Sequence, residues 1–207
     1  MYNEKMLRVA VVGVQGDVEE HVSATRRAMR ALGIDGDVIA VRRRGVVPEC
    51  DAVIIPGGES TTISRLIRRE GIDAEITDAA TAGKPIMGTC AGLILLASAG
   101  DEQVERTGTS LLRLMDIEVR RNAFGRQRES FQCVLDVHEI GRVNAVFIRA
   151  PAITRIGNNV KALARIENTI VAARQRNILA FAFHPELSED TRIHSYFLRL
   201  CLTAADA

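Results

Sequence analysis

Two kinds of apolar spacing alternate along the first half of the chain, and one kind dominates the second half. Leu7 to Val14 is a near-continuous, β-branched-rich run, the mark of a strand buried on both faces. Gln15-Gly16-Asp17 breaks it. From Val18 to Leu32, apolar Val22, Ala24, Ala28, Met29 and Leu32 fall on one helical face, and Gly33 supplies the stop. Val38 to Val41 reads as a second short strand and Ala52 to Ile55 as a third, ended by Pro56. Pro56-Gly57-Gly58-Glu59-Ser60-Thr61-Thr62 opens a helix that runs to about Glu70, with Ser60 or Thr61 able to cap it. Lys84-Pro85 leads into a short strand at Ile86. After Gly88-Thr89-Cys90-Ala91-Gly92 a second apolar run keeps good helix formers through Ala99. Strands alternating with helices imply an α/β fold: a parallel sheet with helices on both faces.

After Gly100 the pattern changes. Asp101 to Ser110 is polar and reads as an irregular exposed loop. The spacing then predicts strands over Asp116–Arg120, Phe131–Val137, Val143–Arg149, Val160–Ile166, Thr169–Ala173 and Ile178–Phe183. Several form hairpins across short polar turns such as Glu167-Asn168 and Gln175-Arg176-Asn177. A final amphipathic helix spans about Glu189 to Leu202, with Ile193, Tyr196, Phe197 and Leu200 on one face and His194 on the wetter side. No repeat, low-complexity tract or linker divides the chain, so residues 1–207 read as a single domain.

Composition narrows the function classes. Of 207 residues, 47% are apolar, enough for a core, and the formal net charge is +1, which gives no electrostatic argument for nucleic acid or an anionic membrane. Aromatics are scarce and Trp is absent, which argues against a stacking platform for single strands. Cys50, Cys90, Cys133 and Cys201 are widely spaced, fitting neither a zinc knuckle nor a disulfide scaffold, and suggest a reducing compartment. No signal peptide is legible before Leu7 and no run reaches transmembrane length. A cytoplasmic protein is expected.

The chemistry centres on Cys90. A strand-to-helix turn with Gly88 and Gly92 around it has the form of a nucleophile elbow, with Cys in place of Ser. A helix N-terminus favours thiolate, and the Ala91 N–H follows the nucleophile where an oxyanion would form. A nucleophilic Cys needs a base and an orienter. Of the four histidines, His21 lies on the first helix, His138 near a turn and His194 on the last helix. His184 ends a late apolar strand, as Cys90 does, and ligands of open parallel sheets gather beyond such ends. Glu186, two residues on, would share its side of an extended backbone. A buried structural cysteine, a strand-capping histidine and a solvated turn carboxylate remain the alternatives to a Cys90-His184-Glu186 triad. Gly57-Gly58 permits unusual backbone angles and a second oxyanion donor. Gly-Lys-Ser/Thr is missing, so a Walker-type phosphate loop is rejected, and Gly13 and Gly16 lack dinucleotide spacing. The arginine-bearing turns at Arg121 and Arg149 could fork onto a carboxylate or be surface charge.

Taken together the motifs resemble one family. Gln15-Gly16, Glu20-His21, Pro56 to Thr62, Gly88 to Gly92, Arg121-Asn122-Ala123-Phe124-Gly125-Arg126-Gln127, Ser130-Phe131, Phe147-Ile148-Arg149-Ala150-Pro151 and Phe183-His184-Pro185-Glu186-Leu187 occur in that order. This set is similar to the glutaminase subunit of pyridoxal 5′-phosphate synthase, the PdxT family, within the class I glutamine amidotransferases. The likeness runs from about Leu7 to Leu202. It implies a flavodoxin-like three-layer α/β/α sandwich around a mostly parallel sheet, with extra strands in the C-terminal half. It implies that Cys90, His184 and Glu186 hydrolyse L-glutamine through a γ-glutamyl thioester. Gly58, Glu59 and Ser60 would line the glutamine site, Gly58 and Ala91 would hold the oxyanion, and Arg121, Ile148 and Arg149 would meet the α-carboxylate and α-amino end. Gln15 would sit near the oxyanion loop and the partner interface. The partner would be a TIM-barrel synthase subunit, in a complex with twelve of each subunit, and no metal or cofactor is expected on this chain. A Gly57–Gly58 turn misoriented until the partner docks is a further expectation. The family commonly has Gly where Arg113 precedes Leu114-Met115-Asp116, so a turn there would be built differently. An amidotransferase serving another synthase, and a non-enzymatic redox or chaperone protein, stand as alternative readings.

Overall fold

The apolar run at the head of the chain becomes strand β1 (Leu7–Val12), buried except for Arg8. The computed structural model describes residues 6–124 and 130–205. After β1 come α1 (Val18–Leu32), β2 (Gly36–Val41), β3 (Ala52–Ile55), α2 (Ser60–Arg69), α3 (Ile72–Thr81), β4 (Ile86–Thr89), α4 (Ala91–Leu96), β5 (Ala97–Gly100) and α5 (Glu102–Arg106). The second half supplies β6 (Met115–Arg120), β7 (Ser130–Val137), β8 (Gly141–Ile148), β9 (Ala152–Ile156), β10 (Lys161–Ile166), β11 (Thr169–Gln175), β12 (Ile178–Phe181) and α6 (Arg192–Ala205). A ten-stranded sheet has the order β2-β1-β3-β4-β12-β11-β9-β6-β5, with β10 added on β11, while β7 and β8 pair separately.

Pairing is parallel from β2 through β1, β3 and β4 to β12. From β12 through β11 and β9 to β6 it is antiparallel. Helices flank this sheet in two groups, α1 with α6 and α2 with α3 and α4, giving the three-layer α/β/α arrangement. Both faces of β1, β3 and β4 are therefore covered, and Val9 to Val12, Ala52 to Ile55 and Ile86 to Thr89 are buried. Helix α1 spans the predicted residues and stops where Gly33 takes φ 66°, its N–H bonded to the Arg30 carbonyl. On α6 the side chains of Ile193, Phe197 and Leu200 are buried, as their spacing requires.

Several expectations are corrected. Helix α3 was not expected. Ile72, Ile76 and Ala79 are its buried positions, too few to give a strong period, and Gly71 at φ 71° separates it from α2. The helix after Cys90 ends at Leu96 rather than Ala99. The carbonyls of Leu95 and Leu96 accept from Leu112 and Leu114, and Ala97 to Gly100 pair with β6 instead. A short run that is apolar all round does not tell helix from strand by periodicity. The segment from Asp101 to Ser110 holds α5, capped by the Asp101 carboxylate on the Val104 N–H at 3.1 Å. Strand β9, directly after Pro151, was also not expected, and β12 stops at Phe181. His194 is fully buried, not on a wet face. Arg113 itself adopts the left-handed φ of 58° that glycine would take, at a cost of about 1–2 kcal/mol.

One close approach fixes how α4 seats on the sheet. A Cβ on Gly92 would lie 2.1 Å from the Ile55 carbonyl oxygen. Gly92→Ala should therefore cost about 1–3 kcal/mol through overpacking. A thermal unfolding midpoint equal to that of the unaltered chain would refute this account of the helix–strand contact.

Candidate active site

Strand β4 delivers Cys90 into the turn that starts α4. The residue sits at φ 48° and ψ −102°, a sparsely populated conformation for a side chain with a Cβ, costing on the order of 1–3 kcal/mol. It is held there because its N–H donates to the Phe181 carbonyl at 2.8 Å and its own carbonyl accepts from Ile94 at 3.3 Å. A Cβ on Gly88 would come within 2.7 Å of the Gly92 carbonyl, so the sharp bend needs glycine on both sides. Helix α4 has only six residues, which leaves less dipole behind the sulfur than a helix through Ala99 would give.

The neighbouring strand brings the candidate base. Parallel β4 and β12 match Ile86 with Ile178 and Thr89 with Phe181. His184 therefore follows its strand end a few residues beyond the level of Cys90. Its N–H donates to the Val146 carbonyl at 2.8 Å. Pro185 then opens a single 3-10 turn, Pro185–Leu187, rather than the extended backbone expected, and the turn brings Glu186 back under the ring. Glu186 Oε1 lies 2.7 Å from His184 Nδ1, and the Cys90 thiol is within hydrogen-bonding reach of the same imidazole. Burial disfavours the charged ring, yet hydrogen bonds to Asp17, Cys90 and Glu186 outweigh it and push the His184 pKa up to about 12. Burial raises the pKa of Glu186, against the pull of His184.

Asp17 was not singled out from the sequence. Its Oδ2 stands 3.3 Å from His184 Nδ1, so two carboxylates face one ring nitrogen. Asp17, His184 and Glu186 are spaced closely enough to hold a metal ion. Both carboxylates favour a proton on His184 Nδ1, which a cation would have to displace. Asp17 also donates its N–H to the Gly57 carbonyl at 3.2 Å. The only signal in the sequence was its place beside Gln15-Gly16.

The glycine turn after β3 is gripped by that segment. Gly58 takes φ 143°, and a Cβ there would lie 2.6 Å from Gln15 Oε1. Gln15 Oε1 accepts from the Glu59 N–H at 3.0 Å. Glu59, not Ser60 or Thr61, caps α2, accepting from the N–H groups of Thr61 and Thr62. Partial burial opposes its ionisation, but these bonds hold its pKa down at about 2. Ser60 Oγ is buried without a hydrogen-bond partner among the described residues.

These residues enclose a cavity of about 380 Å³, within the range of small-molecule sites. Every candidate named from the sequence lines it except Glu186, which lies behind His184, and Asp17, Ile94, Asn122 and Pro151 line it as well. The Ile148 carbonyl is 4.0 Å from the Cys90 sulfur. Arg121 reaches Glu59 Oε1 at 3.2 Å, and Arg149 turns into the rim at φ 41°. Gly125, Arg126 and Gln127 of the arginine-bearing motif lie outside the described residues.

A model of the SNO glutamine amidotransferase family matches residues 11–203. The chain belongs to that family. A relative from Archaeoglobus fulgidus, named pyridoxal 5′-phosphate synthase subunit PdxT, is 68% identical over 94% of this chain and 98% of its own. One of the same name from Methanococcoides burtonii is 58% identical over 93% and 98%. A solved glutamine amidotransferase superposes with a TM-score of 0.82 at 43% identity, over 93% of this chain and 98% of the other. The PurLQS structure from Thermotoga maritima, at 16% identity and TM-score 0.67, covers 97% of this chain and 99% of its own, and shares the fold. Among the described residues of this SNO family member, no helix is long and apolar enough to cross a membrane.

The second carboxylate on His184 has a measurable consequence. Asp17 favours the imidazolium, which keeps its proton until pH rises through its raised pKa. Asp17→Asn should lower that pKa by about one unit or more, so the basic limb of the kcat/KM profile for glutamate release moves to lower pH. Superimposable limbs for the two proteins would show that Asp17 does not act on His184.

Proposed function

We propose that this chain, as a single domain, hydrolyses L-glutamine and hands the ammonia to a synthase subunit that makes pyridoxal 5′-phosphate. The observation that carries the chemistry is the Cys90 thiol and His184 meeting at one cavity, with Glu186 behind the imidazole. The family match and the PdxT relatives support the pathway.

With the proton already held on His184 Nε2, in the imidazolium that its raised pKa favours, Cys90 Sγ attacks the side-chain carbonyl carbon of glutamine. Glu186 keeps Nδ1 protonated, so the Nε2 proton is the one that is exchanged. The tetrahedral oxyanion is held by backbone N–H groups of Gly58 and Ala91. Ala91 opens α4, where the first N–H groups have no intrahelical acceptor. The C–N bond breaks as His184 returns its proton to the departing ammonia, leaving a γ-glutamyl thioester. Water, deprotonated by His184, attacks the thioester, and glutamate leaves as the thiolate re-forms beside the imidazolium.

The rim of the cavity suits an amino acid head group. Arg121 and Arg149 offer planar donors to the α-carboxylate. Glu59, ionised down to about pH 2, offers charge to the α-ammonium together with the Ile148 carbonyl. The buried Ser60 hydroxyl, unpaired in this state, gains a partner in the bound amide. Gln15 and Asp17 hold the oxyanion turn from the side open to a partner. The partner read from the family resemblance is a TIM-barrel synthase in a complex with twelve copies of each subunit, and no cofactor is assigned to this chain.

Cys90→Ala should abolish glutamate release, by at least ~10³-fold when assayed with the synthase subunit present. An electrophilic glutamine analogue should label Cys90 of the unaltered chain and be blocked by glutamine. Glutamate release that survives the substitution would remove the thioester mechanism.

A further inference from the structure

Behind Glu186 lies a second line of side chains that the reaction steps leave unused. His21 comes from α1, Thr89 from the last position of β4 and His194 from α6. All three are fully buried. His21 Nε2 lies 2.9 Å from Thr89 Oγ1 and 3.2 Å from Glu186 Oε2. Its Nδ1 lies 3.2 Å from His194 Nε2. Glu186 Oε2 is itself buried and has no aligned hydrogen-bond donor among the described residues, so the His21 ring edge is what faces it.

Burial holds His21 well below the usual imidazole pKa, with His194 and His184 adding to the effect. It also brings His194 down to about 3, with Arg27 contributing. Two uncharged rings in contact share one proton along their line. A proton on His21 Nδ1 would leave Nε2 as a lone pair against the carboxylate, which is repulsive. A proton on His194 Nε2, donated to His21 Nδ1, puts the His21 hydrogen on Nε2 toward Thr89 and Glu186, which is attractive. An uncharged His21 also leaves the Glu186 charge to His184.

We propose that His21 is a positioning residue of the triad: anchored by His194, its Nε2–H is donated to Thr89 Oγ1 and lies alongside Glu186 Oε2, 3.2 Å from Nε2, which keeps Oε1 turned onto His184 Nδ1. The same imidazole touches Thr89, the residue before the nucleophile, so one ring from α1 steadies both strands that carry the site. This rests on the glutaminase reading for its role in turnover, though not for its effect on the thiol–imidazole pair.

His21→Leu removes the donor while keeping an apolar filling. His21→Gln restores an N–H near the lost Nε2, and His194→Leu removes the anchor alone. Each is compared with the unaltered chain for steady-state glutamate release with the synthase subunit present, and for the rate of Cys90 alkylation by iodoacetamide. Thermal unfolding reports whether each variant is folded. His21→Leu should lower kcat and the alkylation rate ~10–100-fold with KM within about twofold, as outer-layer partners of reactive groups do. His21→Gln should regain most of both, and His194→Leu should fall between. Equal losses in the Leu and Gln variants, or a raised KM with unchanged kcat, would overturn the assignment. If His21→Leu does not fold, His21→Gln must still exceed His194→Leu in both rates, and the reverse order overturns it. Alkylation needs no glutamine, so an unaltered chain that alkylates but releases no glutamate sinks the glutaminase reading while His21 is still tested.

Discussion

The pairing of β4 with β12 is the constraint on which the rest depends. The two strands are parallel and matched residue for residue from Ile86 and Ile178 to Thr89 and Phe181. Neither continues past that point. The Cys90 N–H is captured by the Phe181 carbonyl, so the thiol and the imidazole that follow are placed by one backbone ladder. A slip of one residue would turn His184 to the other face of the sheet. Strands far apart in sequence must find each other to build this site, with Thr89 and Phe181 separated by the whole antiparallel half of the chain. That half wraps from β11 back to β6 and leaves the β7–β8 hairpin free to approach His184, whose N–H it accepts at Val146. Phe147 of the hairpin packs on Phe183, the residue before the base.

A second constraint comes from how closely backbone meets backbone. A Cβ on Gly16 would lie 1.8 Å from the Gly57 carbonyl oxygen, and one on Gly57 would lie 2.5 Å from the His184 ring. The loop after β1, the turn after β3 and the base after β12 therefore touch without side chains between them. This is why Asp17 reaches both the Gly57 carbonyl and His184 Nδ1. A change of orientation in the Gly57–Gly58 turn would pull on the loop that carries Gln15, and a partner that moves Gln15 would act on the turn.

Much of this was legible in the sequence, and what was missed has physical reasons. Cys90, His184 and Glu186 announce themselves because each sits where an apolar run breaks at Gly, Pro or a lone polar residue. Helix α1 and strand β3 could be bounded to the residue, since Gly33 and Pro56 end them by backbone geometry alone. Helix α3 and strand β9 were missed because few of their positions are buried and periodicity is weak in short elements. The mistaken end of α4 has the opposite cause, since Leu93 to Leu96 are buried all round and no polar residue marks a face. His194 was placed on a wet face because a helical wheel scores histidine as polar. Its burial follows from a partner on another helix, His21, which no local pattern records. Asp17 is a similar case, being half-exposed, next to glycine, and significant only through a base 167 positions away (184 − 17).

The electrostatics of the site tie fold to chemistry. A carboxylate as buried as Glu186 is costly unless a donor or cation faces it. The His184 Nδ1–H meets that need, and in doing so fixes which ring nitrogen is free to work. Under the proposed mechanism the Nδ1 proton stays where the fold requires it, while the Nε2 proton passes to ammonia and is later replaced from water. Only the second proton changes hands, so the packing around Glu186 is undisturbed at every step. A base whose resting proton was not needed by the fold could lose either one. Asp17, partly exposed at the cavity rim, adds negative charge on the same side of the ring and favours its protonated form. The Gly57–Gly58 turn leans on this same residue through the Asp17 N–H, so under the proposed mechanism one oxyanion donor and the imidazolium are braced by one loop.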